Sequence, residues 1–162
     1  MTKALVVGIG NPDRGDDGVG PLVARRLVGR APPDVTIIER AGDVLALIED
    51  WVDYDTVILI DAAAPGNTPG SIHRIDLLTT ELPADMSLSS THAFGVGNAI
   101  GLARTLGLLP RSLVVHAIEG VNFEPGAHLS PNIAAAVEEV AAQVIAELGL
   151  KNDGRSAEAA HA

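Results

Sequence analysis

The chain has 162 residues, none of them Cys, and a formal net charge of −10 at pH 7. That length makes one domain with enough chain to bury a core. With only 11 Lys and Arg, scattered through an acidic chain, DNA, RNA and anionic membrane surfaces are excluded as partners, and the lack of Cys excludes disulfides, a thiolate zinc site and a cysteine nucleophile.

ALVVG (4–8) is a continuous apolar run ending on glycine, as a buried parallel strand does. The apolar stretch at the N-terminus is shorter than the roughly 7–15 residues of a signal peptide. No run nears the ~18 residues that span a membrane, so the expected location is cytoplasmic. PLVARRL (21–27) has helical spacing and stops near Gly29, and VTIIE (35–39) reads as a second strand. DVLALIEDW (43–51) is a helix with Asp43 as its N-cap. TVILID (56–61) is a third buried strand ending on a carboxylate.

APGNTPG (64–70) is a turn-rich break, and SIHRID (71–76) alternates as an edge strand does. Residues 77–90 read as irregular, followed by a helix from about His92 to Leu106 capped by Ser90 or Thr91. SLVVHAI (112–118) is another buried strand. The loop EGVNFEPGAHL leads to Ser130-Pro131, a cap followed by proline at the first helical position. The final helix spans Pro131 to Leu148, with Ile133, Val137, Val140, Val144, Ile145 and Leu148 as its buried stripe. The tail 151–162 has no pattern and is expected to be disordered, leaving a single domain over 1–150. Strands alternating with helices predict a three-layer α/β/α sandwich on a mostly parallel, mixed sheet of about five strands. Such folds bind ligands at the carboxyl ends of their strands.

The loop after the first strand, GIGNPDRGDDGVG (8–20), joins five glycines to three aspartates. Three readings compete. Its start resembles a dinucleotide fingerprint, with Glu39 at the end of the second strand. But Asp13 takes the third glycine position, and Asp16 and Asp17 stand where a pyrophosphate needs amides. A carboxylate about 4 Å from a phosphate costs roughly 4 kcal/mol at an effective dielectric of ~20, so no nucleotide cofactor is expected. The second reading makes Asp16 or Asp17 a cap for the helix beginning near Gly18. The third is a cation site, with Asp17 and Asp61 at the ends of the first and third strands, facing across one cleft.

Histidine is the other available ligand. His73 reads as exposed on the edge strand, His116 as a satisfied core residue, His128 as a loop residue and His161 as part of the tail. His92 differs, because a helix start faces the same cleft as the strand ends.

Three segments together resemble the hydrogenase maturation proteases, which process the large subunit of nickel–iron hydrogenases. VVGIGNPDRGDDGVGPLVARRL is similar to the family's first strand, loop and helix, ILIDAAAPGNTPG to its central strand and turn, and STHAFGVGNAIGLARTLG to its histidine-bearing helix. FEPGAHLSP before the last helix is also similar, and the resemblance covers about residues 3 to 148. It implies that Asp17, Asp61 and His92 bind nickel, the trio the cleft reading had singled out. Some members carry Glu where Asp17 stands, and Asp43 stands where several carry a small residue. Gly42 and the 62–66 loop are implied contacts for an extended peptide.

The implied activity is that of an endopeptidase. It would recognise nickel already loaded in the hydrogenase large-subunit precursor and remove the precursor's C-terminal extension. Two carboxylates and an imidazole suit Ni(II) or Zn(II). Without Cys or a Ser-His-Asp set, water is the expected nucleophile, and Asp16 is the candidate helper base. A monomer is expected. The alternatives are a nickel-binding assembly chaperone that leaves its partner uncleaved, and another metal-dependent hydrolase.

Overall fold

The computed structural model describes residues 3–41, 43–64, 67–80, 87–88 and 96–161. Five strands lie side by side in the order β2–β1–β3–β6–β4, comprising Val35–Arg40, Ala4–Ile9, Thr56–Ala64, Ser112–Glu119 and Ile72–Asp76. β1 runs parallel to β2 and β3, β3 runs parallel to β6, and β4 is antiparallel to β6 at one edge. The helices are α1 (Val19–Leu27), α2 (Val44–Trp51), α3 (Val96–Leu106) and α4 (Pro131–His161). The expected three-layer sandwich on a mixed, mostly parallel sheet is what forms.

The apolar runs of the central strands are continuous because both faces of the sheet are covered. Leu5, Val7, Ile9, Val57, Leu59 and Val115 pack with Trp51, Val96 and Ala99 under α2 and α3. Val6, Ile58, Ile60 and Ile118 pack with Val19, Val23, Ile133, Val140 and Val144 under α1 and α4. Trp51 is fully buried, and its indole N–H donates to the Leu108 carbonyl at 3.1 Å. Asp43 caps α2 as expected, its Oδ1 accepting from the N–H groups of Leu45 (3.1 Å) and Ala46 (3.4 Å). No helix among the described residues is long and apolar enough to cross a membrane.

Three features depart from the sequence expectation. β3 does not stop at Asp61: it continues to Ala64, because β6 pairs with it as far as Ala63 and a short antiparallel strand, β5 (Ser87–Leu88), takes up its other side. β5 lies inside the stretch expected to be irregular. The backbone of α4 continues as helix to His161, past Leu148 where its apolar stripe ends. The start of the third helix, with its expected cap at Ser90 or Thr91, lies outside the described residues.

α1 approaches the sheet closely enough to require glycine. A Cβ on Gly20 would stand 2.4 Å from the carbonyl oxygens of both Ile9 and Ile60. Both neighbours are backbone of central strands and cannot give way. Gly20→Ala is therefore expected to lift the first turn of α1 and destabilise the fold by about 3 kcal/mol. Thermal unfolding checks this, and a melt within about 3 °C of the wild type would show that α1 is free to move.

Candidate functional site

The first loop leaves β1 at Ile9 and turns at Gly10, which has φ +145°. A Cβ on Gly10 would fall 1.8 Å from the carbonyl oxygen of Asp17, so the loop folds back directly onto that residue. A 3-10 turn follows (Gly15–Gly18), packed against β3, and α1 begins at Val19. The N-cap of α1 is Gly18, without a side-chain cap bond, so neither Asp16 nor Asp17 caps this helix. Both carboxylates are committed elsewhere.

Asp17 is half-buried. Its Oδ2 accepts the N–H of Asn11 at 3.0 Å. Its Oδ1 is buried and has no hydrogen-bond partner among the described residues. A buried carboxylate oxygen left without a donor is costly and uncommon.

Asp61 is fully buried on β3, and its Oδ1 accepts the N–H of Ala62 at 2.8 Å. Gly8 pairs with Ile60, which brings Asp61 level with the last residue of β1. The residue before Asp61 is the one whose carbonyl meets Gly20, one helical turn after Asp17. The fold thus carries Asp17 and Asp61 to the same end of the sheet, where β1 stops. His92 lies outside the described residues. Among the described residues, no group of three or more His, Cys, Asp or Glu side chains is arranged to hold a metal ion. Two carboxylates, one with a buried oxygen lacking a donor, are chemically suited to share a divalent cation with one further ligand.

Asp16 is fully buried and has different partners. Its Oδ2 accepts the N–H groups of Val121 (2.9 Å) and Asn122 (3.0 Å) and the Ser130 hydroxyl (2.9 Å), and its Oδ1 accepts the Ser130 N–H (2.7 Å). Burial pushes this carboxyl up, but the donors from Asn122, Ser130 and Val121 outweigh it and hold it below the usual carboxylate range. Asp16 thereby ties the first loop to the loop before α4. Ser130, expected as a helix cap, gives its hydroxyl to Asp16. Sequence reading missed these partners, whose only local signal was the Ser-Pro pair.

The other histidines settle as follows. His116 is buried on β6 as a core residue, its Nε2 3.0 Å from Glu147 Oε2 on α4. Its Nδ1 has no hydrogen-bond partner among the described residues, so the ring is satisfied at one nitrogen and not at both as expected. Glu147 also receives Arg74 of β4, with Nε at 2.8 Å from Oε1. Burial raises the Glu147 pKa, but hydrogen bonds from His116 and Arg74 bring it below its usual value. His73 is half-buried rather than exposed, its Nε2 3.3 Å from Glu119 Oε1. His128 is exposed in the loop before α4.

The family model described as hydrogenase maturation protease (HycI) matches residues 21–147. The chain is 28% identical over 150 residues to the hydrogenase 2 maturation protease of Escherichia coli K12, covering 90% of each. It is 29% identical to the hydrogenase expression/formation protein HupD of Bradyrhizobium diazoefficiens, covering 96% of this chain and 84% of that one. An endopeptidase from Escherichia coli solved in solution superposes with a TM-score of 0.75 at 26% identity, over 91% of this chain and 92% of that chain. A matched segment filling most of the chain, on this fold, places the protein in the hydrogenase maturation protease family, a family of endopeptidases.

Proposed function

We propose that this protein cuts the C-terminal extension from the large-subunit precursor of a nickel–iron hydrogenase, and that it recognises the nickel the precursor already carries. Asp17, Asp61 and His92 form the clamp. The observation that carries this reading is the Asp17 Oδ1 atom, buried at the carboxyl end of the sheet without a donor among the described residues. A cation presented by the substrate supplies what that atom lacks, and Asp61 on the neighbouring strand adds a second negative charge. Family membership supports a hydrogenase precursor as the substrate.

In this reading the nickel is part of the substrate and contributes charge at the point of recognition. The clamp residues hold the metal-bearing segment so that the scissile carbonyl lies within reach of water. Hydrolysis adds water across the C–N bond, and the proton passes to the leaving amine. We assign Asp16 to holding the loop that carries Asp17, in place of proton transfer. Its oxygens already accept four hydrogen bonds, and a carboxylate held below its usual range is a poor base at neutral pH.

The test is a processing assay on nickel-loaded precursor, with metal-free precursor as control and the product weighed by mass spectrometry. The expected result is loss of one defined C-terminal peptide from the loaded form alone. Binding of the loaded form without cleavage would favour the assembly chaperone. Equal cleavage of both forms would remove nickel recognition from the mechanism.

A further inference from the structure

A groove opens beside Asp17. Asn11, Pro12, Asp13 and Arg14 of the first loop form one wall and Pro125–His128 of the loop before α4 the other, enclosing about 580 Å³. Asn11, whose N–H binds Asp17, joins the groove to the proposed clamp. The two walls are held together by the polypeptide itself. Gly126 N–H donates to the Asp13 carbonyl at 2.7 Å, and Arg14 Nε donates to the Phe123 carbonyl at 3.3 Å. Behind them, Asp16 fastens the same two loops. The groove is therefore built before any ligand arrives.

Arg14 differs from five other arginines of the chain. Arg25 pairs with Glu39, Arg26 and Arg30 with Glu138, Arg40 with Asp50, and Arg74 with Glu147. Arg14 makes no ion pair among the described residues, and its one hydrogen bond leaves the two terminal nitrogens uncommitted. In a chain of net charge −10, most of the surface repels an acidic ligand. A fixed, unpaired guanidinium makes this groove an exception, since its fork matches a carboxylate. Asp13 lines the same groove and disfavours a run of acids, so the fit is for a single carboxylate.

We propose that the groove holds a segment of the substrate polypeptide beside the bond to be cut, and that Arg14 binds one Asp or Glu side chain on it. The identity of that polypeptide rests on the hydrogenase precursor reading above. Arg14 then sets which precursors are accepted, while the clamp reads the metal.

Binding and cleavage test this separately. Binding is measured with metal-free precursor, which carries the same polypeptide, and KM and kcat are measured with the nickel-loaded form. Arg14→Gln is expected to weaken binding and raise KM about tenfold, with a far smaller change in kcat. Arg14→Lys should retain part of the affinity. One Asp→Asn or Glu→Gln change in the precursor near the cleaved bond should reproduce the loss and add nothing to Arg14→Gln. Unchanged binding and KM in Arg14→Gln, with cleavage intact, would overturn the groove proposal and leave the endopeptidase reading standing. Arg14-dependent binding with no cleavage of loaded precursor would do the reverse. If no amide change reproduces the loss and the processed subunit binds through Arg14, the carboxylate is the newly formed C-terminus and the side-chain assignment fails.

Discussion

Asp17→Asn, Asp61→Asn and His92→Ala are each expected to lower processing of nickel-loaded precursor by at least about 100-fold, roughly 2.7 kcal/mol of transition-state stabilisation, while the fold remains intact. The two amides keep the shape of the carboxylates and an oxygen that can accept a backbone N–H. An Asn at 17 can still accept from the Asn11 N–H, and one at 61 can still accept from the Ala62 N–H. What they lose is negative charge. A neutral amide oxygen is a weak partner for a divalent cation, and desolvation at the end of the sheet amplifies the difference. Circular dichroism and thermal unfolding on the same samples separate lost recognition from lost structure. A folded variant that processes normally takes its residue out of the clamp.

The second large effect is on stability. Asp16→Ala should destabilise the protein by about 3–5 kcal/mol, because the N–H groups of Val121, Asn122 and Ser130 lose their acceptor and each unsatisfied buried donor costs about 1–3 kcal/mol. Against a typical total of about 5–15 kcal/mol this is a large share. Urea unfolding measures it. The pH dependence follows from the sign of the shift. Asp16 has a folded pKa below its unfolded value, so its contribution is full above about pH 4 and fades as pH falls through the folded value. The stability gap between wild type and Asp16→Ala should therefore narrow in acid. Asp16→Asn keeps one acceptor oxygen, and it distinguishes an anchor from a base. An anchor leaves the shape of the pH–rate profile unchanged while stability drops, whereas a base takes the acidic limb of the profile with it.

What the sequence determined by itself was local. Strand and helix placement followed from side-chain periodicity, because the pleat and the helical turn are properties of neighbouring residues. Asp43 was legible as a cap because its partners, Leu45 and Ala46, lie two and three residues on. Asp17 and Asp61 were legible as carboxylates at the ends of apolar strand runs, and the resemblance that agreed with that reading rested on contiguous motifs of the same kind. Tertiary structure decided whatever depended on residues far along the chain. β3 passes Asp61 because β5 and β6 pair with it there. Asp16 looked like a cap or a base because its neighbours are Gly15 and Asp17, yet its donors come from residues 121 to 130. Arg14 looked like any surface arginine until the folded chain paired five others and gave it only a carbonyl. A carboxylate's role is set by which donors reach it, and a guanidinium's by which acceptors do; those are fixed only when distant loops close on one another.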